Sequence, residues 1–214
     1  MNESITGLRA RCLKEAPEMR RKTFDALVSA GGLVIVAVLL VAGVLLLWGH
    51  SYASNQVSSQ LSAQKIVFPA TGNAEFKALP PSDQAAMGAY AGQPMTTGAQ
   101  AKAYADHFIA VHLTEIGKGQ TYSQLSAASL AQPKNVALAA QVQTVFRGTT
   151  LRSMLLEAYG FWQIGQIALL AAIASFAGAA LLLILSVAGL MHGRRVPAET
   201  EVLAKTVHPT TVNA

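Results

Sequence analysis

The chain has 214 residues, 52% of them apolar and only 13% charged, a composition that excludes a disordered chain and points towards a membrane. The net charge of +5 is spread thinly, with six bases against four acids in residues 1–25 and seven against five in residues 49–162. No segment therefore carries a nucleic-acid footprint. Cys12 is the one cysteine, which rules out an intramolecular disulfide and a thiolate metal cluster.

Residues 1–25 read as a polar cytoplasmic tail. Arg20-Arg21-Lys22 abut the first apolar run, and Leu8 to Lys22 is expected to form a short helix, interrupted near Pro17, at the membrane surface. Residues 26–48 then form a first transmembrane helix, about 34 Å long against a hydrocarbon core of about 30 Å. Ser51-Tyr52-Ala53 resembles a signal-peptide cleavage site. The apolar run is too long for a signal core, so it reads as an uncleaved anchor.

The second apolar run carries no charge from Gln163 to Met191 and is followed by Arg194-Arg195. Bases therefore flank the ends of both runs that lead to the chain termini, which predicts a plasma-membrane protein with both termini cytoplasmic and residues 49–162 outside. The two tryptophans, Trp48 and Trp162, then fall at the same interface, where with Tyr52, Tyr159 and Phe161 they would anchor an aromatic belt. Residues 163–191 are the second span and residues 192–214 a disordered cytoplasmic tail.

The region between the spans reads as helical. Ser51 to Gln64 continues the first span as a stalk, and Lys65 to Pro69 is extended. Ser82 is expected to cap a helix reaching about Ala91. Thr97-Gly98-Ala99-Gln100 and Thr121-Tyr122-Ser123-Gln124 both match a capping box, in which the threonine hydroxyl and the glutamine amide satisfy each other's free backbone N–H groups. The first opens a helix ending near Gly117, and the second opens one that stops before Pro133. Asn135 caps a last helix, with Gly148 expected to break it before Leu151 to Met191 runs on into the membrane. The fold class is thus all-α: two transmembrane helices with a small helical extracytoplasmic domain between them.

Chemistry-bearing residues are sparse. His107 and His112 lie five residues apart, a rotation of about 140° that puts them on different helix faces. His112 sits on the apolar stripe of Ala105, Phe108, Ile109 and Ile116 and reads as a core histidine. With Glu115 it supplies two metal ligands only, and a third, from another helix, would be needed for Zn²⁺ or Fe²⁺. No nucleophile elbow, phosphate loop or dinucleotide fingerprint occurs, so neither an enzyme nor a cofactor is implied. Arg147, Arg152, Glu157, Tyr159 and Trp162 cluster beside the second span and are candidates for lipid or partner contact. Small residues recur every four positions at Ala171, Ser175 and Ala179 and at Ala174 and Gly178, with Ala26, Ala30, Gly31 and Gly32 in the first span. Such rows let helices approach closely, whether to each other, to a second copy or to a membrane-protein partner.

Thr97 to Ala101, Tyr104 to Ile109, His112-Leu113, Phe146 to Arg152 and Ala158 to Trp162 together resemble an uncharacterised family of two-span actinobacterial membrane proteins. The resemblance covers most of the chain between the tails and implies a bacterial envelope setting. Some members carry a label as aromatic ring-opening dioxygenases. An extradiol iron site needs two histidines and a carboxylate converging, which His107 and His112 do not offer. The function expected is a non-catalytic accessory or structural subunit of a membrane assembly, with an extracytoplasmic ligand-binding sensor as the alternative and a metal-dependent enzyme using His112 and Glu115 as a third reading.

Overall fold

The computed structural model describes residues 21–195; the tail helix expected over Leu8–Lys22 and most of both tails lie outside the described residues. Within them the regular elements are helices: α1 (Arg21–Ala63), α2 (Ala74–Lys77), α3 (Pro81–Gly88), α4 (Gly98–Tyr104), a π-helical turn (Ala105–Ile109), α5 (Ala110–Gly117), α6 (Tyr122–Ala131) and α7 (Val136–Arg195). The all-α expectation holds. α1 has 43 residues and α7 has 60, roughly 65 and 90 Å of helix. The contacts divide into two compact units, one of residues 45–172 and one holding residues 21–44 with 173–195.

In the apolar unit, α1 and α7 pack antiparallel through small residues. Gly189 faces Ser29 and Gly32 faces Ser186, while a Cβ added at Gly43 would lie 2.8 Å from the Phe176 ring. The buried positions on α1 are Ser29, Val36 and Gly43, and on α7 Ala179 and Ser186. They recur every seven residues, the repeat that keeps one seam facing a partner helix. Large side chains such as Leu27, Val34, Val38, Val41, Leu181 and Ile184 point outward. Only 11% of the most apolar window of each helix is buried, the reverse of a core helix in a water-soluble domain. Both helices are long and apolar enough to cross a membrane.

The other unit owes its core to α1 and α7 together with the short helices. Val57 and Leu61 from α1 and Leu155 from α7 meet Phe68, Phe76, Leu79, Met87, Met95, Ala101 and Ile109. Extended stretches around Phe68 and Met95 pair through one isolated bridge, Val67 to Pro94, with the Met95 N–H donating to the Ile66 carbonyl at 2.9 Å. Both capping boxes form at Thr97 and Thr121, and the Asn135 side chain accepts from the Leu138 N–H at 3.0 Å. Lys118, in the left-handed conformation, ends α5.

Three expectations change. Ser82 caps nothing: the helix starts at Pro81 and ends at Gly88, because proline at the first helical position needs no N–H partner and is already set to a helical φ. Gly148 breaks nothing either, and α7 runs unbroken from Val136. The glycine is a packing device, since a Cβ there would come 2.6 Å from the Leu113 side chain. The short helix α2 was not foreseen.

Gly98 occupies a similar close approach, with the side chain of Trp162 lying where its Cβ would go, whereas Gly49 has open space around it. Gly98→Ala should therefore destabilise the helical unit by about 1–3 kcal/mol through overpacking, while Gly49→Ala should be neutral or stabilising by up to about 1 kcal/mol. Thermal unfolding followed by tryptophan fluorescence checks both; equal effects would contradict this packing.

Candidate functional site

The stretch from Arg147 to Trp162 lies on α7, and the helical period distributes its candidate residues to different tasks. Arg152 and Tyr159 face the π-helical turn and α4. Trp162 is half-buried against Gly98, with its ring 6.2 Å from that of Tyr159. Glu157 and Arg147 are exposed and line two separate surface depressions.

The π-helical turn Ala105–Ile109 is where α7 grips the rest of the unit. A π turn bonds i to i+5, so the Ala105 carbonyl accepts from the Ala110 N–H. It also accepts from Arg152 Nε at 3.2 Å. The same guanidinium donates from Nη2 to Asp106 Oδ1 at 2.8 Å, and Lys102 Nζ donates to Asp106 Oδ2. Lys102 also lies 5.5 Å above the Tyr159 ring, a cation–π arrangement. The Lys102 hydrogen bond, helped by that of Arg152 and by both positive charges, holds the Asp106 carboxyl below its ordinary range. Burial, reinforced by the charge of Glu75, pushes the Tyr104 phenol above its ordinary value.

The histidines go to separate partners. His107 Nδ1 lies 2.7 Å from Asp83 Oδ1 and ties the π turn to α3. His112 Nδ1–H donates to the Phe108 carbonyl at 2.8 Å, and its ring packs 4.4 Å from that of Phe108. It is half-buried while Glu115 is exposed. Among the described residues no three His, Cys, Asp or Glu side chains converge as metal ligands, so His112 and Glu115 gain no third ligand there. His112 and Arg147 border a shallow groove of about 360 Å³ between α5 and α7.

The larger depression is a cleft of about 570 Å³ between α1 and α7. Val57, Leu61 and Leu155, all nearly inaccessible to solvent, form its floor, and Tyr52 and Phe161 stand at one end. Gln56 and Gln60, one turn apart along α1, and Gln64, just past its end, line one wall and Glu157 the other. Trp48 and Tyr52 stack at 5.7 Å, and both are more than half exposed. Of the expected belt they and Phe161 face outward, while Trp162 is committed to packing.

No protein-family model, no curated protein and no solved structure matches the chain.

Asp106→Asn removes the negative charge that Arg152 and Lys102 share and replaces one of the two accepting oxygens with an NH₂ donor. Because Lys102 is half exposed, the expected loss is about 1–2 kcal/mol rather than that of a buried pair. The folded carboxyl is held below its ordinary value of 3.8, so the stabilisation is fully present above that value and disappears as pH falls through the lowered one. Unfolding of wild type and variant compared across pH checks this: the gap should be constant from pH 7 to pH 5 and close only in stronger acid.

Proposed function

We propose that the chain is an integral membrane protein with residues 49–162 outside and both termini in the cytoplasm. It acts as a non-catalytic accessory or structural subunit of a membrane assembly. One observation supports this best. α7 carries in a single helix the outward-facing apolar run and the residues, Arg152, Tyr159 and Trp162, that hold the helical unit together. Candidate side chains occupied in this way serve architecture more than turnover. Contact with a partner has a natural place at the turn between α6 and α7, where Leu130 and Val136 are 81% and 80% exposed. The likeness of the outer motifs to two-span actinobacterial proteins supports an envelope setting.

A second reading, an outer ligand-binding protein, is favoured by the cleft of about 570 Å³, which falls within the size range of small-molecule sites.

Topology is tested by thiol labelling. With an impermeant maleimide, Cys12 should react only after cells are opened, and a Ser123→Cys variant made in a Cys12→Ser background should react in intact cells; the opposite pattern sinks the orientation. For the subunit reading, a photoreactive amino acid at Leu130 or Val136 should give a discrete covalent adduct with another membrane protein in intact cells. No adduct, together with a monomer free of companions in mild detergent, would refute it.

A further inference from the structure

We propose that the cleft between α1 and α7 binds a single-chain amphiphile bearing a cationic ammonium head. The inference rests on the ligand-binding reading and names its ligand class.

Three features of the cleft lead there. Its floor, Val57, Leu61 and Leu155, is apolar and takes a hydrocarbon chain, which leaves water at about 0.8 kcal/mol per CH₂ buried. From Tyr52 to Leu61 the α1 wall runs for nine helical steps, roughly 14 Å, so the shape is a slot along the helices. Its charge is one-signed: Glu157 is the only residue of Asp, Glu, Lys, Arg or His type in the lining. That carboxylate makes no ion pair among the described residues.

The chemistry around Glu157 selects the head. Phe161 lies one turn away on the same helix, while Tyr52 stands farther along the slot. A carboxylate with an aromatic ring one turn away is a set that recognises an ammonium group, through charge and through the negative face of the ring. The amides of Gln56 and Gln60 supply hydrogen-bond acceptors for an N–H head and no positive charge. A phosphate, sulfate or fatty-acid head would instead meet Glu157 with no cation in the lining to offset the repulsion. Arg152, the nearest base in sequence, is engaged with Asp106 and the Ala105 carbonyl.

Photolabelling tests this on the full chain reconstituted in phosphatidylcholine nanodiscs. The probes are an alkyltrimethylammonium and an alkyl sulfate of equal chain length, each carrying a diazirine, with labelled peptides mapped by mass spectrometry. The ammonium probe is expected to label residues 52–66 and 151–161 well above the sulfate. Gln60→Trp, an exposed wall position whose larger side chain fills the slot, should abolish that labelling. Glu157→Gln should lower it about three- to fivefold, in line with one partly exposed charge pair, and Glu157→Asp should largely keep it. Helical content and unfolding temperature of each variant identify any that fail to fold. Equal labelling of the cleft by both probes, or an ammonium signal indifferent to Glu157→Gln in a folded variant, overturns the ligand class and leaves the ligand-binding reading standing. If neither probe labels the cleft, both fall.

Discussion

The helical unit depends on one close approach, that of α1 to α7 at Gly165. A Cβ there would stand 3.1 Å from that of Ala53, so the missing side chain lets the two backbones come together. His50 fastens the spot by donating from Nδ1 to the Gly165 carbonyl at 2.9 Å. Further along, the contact passes to Val57, Leu61 and Leu155, larger side chains that floor the cleft. The short helices then close over the other side of the same apolar row, so one pair of helices supplies both a core and a surface depression.

How much of this was legible in the sequence follows from where each signal resides. The capping boxes at Thr97 and Thr121 and the Asn135 cap were readable because donor and acceptor lie three residues apart and need no tertiary partner. Gly148 was not, because a glycine that breaks a helix and one that admits a neighbouring side chain look alike until the neighbour, Leu113, is known. The π turn was equally hidden. Its bonding is supported by Arg152, 46 positions beyond Asp106, a distance no local pattern spans. Arg147 to Trp162 stands out in the sequence as a concentration of residue types, but the packing role of Arg152, Tyr159 and Trp162 does not, and neither does the cleft. Gln56, Gln60 and Gln64 read as a solvated stalk, and only the return of α7 makes them a wall.

The small-residue rows show a related ambiguity of period. In the sequence they recur every four positions. In the structure Ala179 is buried and Ala171, Ser175, Gly178 and Gly32 are half-buried, while Ala26, Ala30, Gly31 and Ala174 remain exposed. The seam that α1 and α7 use is the seven-residue one through Ser29, Val36 and Gly43. A straight α-helix closes about two turns in seven residues, so a row of fours drifts away from a partner that a row of sevens keeps facing. Part of the small-residue surface is thus used within the chain.

Oxidative crosslinking of Ala53→Cys with Gly165→Cys, in a Cys12→Ser background, tests the central packing most directly. The Cβ separation is close to that of a disulfide. The account predicts rapid, near-complete crosslinking within one chain, seen as two fragments that stay joined until reduced after cleavage between the two positions. Bonds formed only between chains, or none, would contradict it.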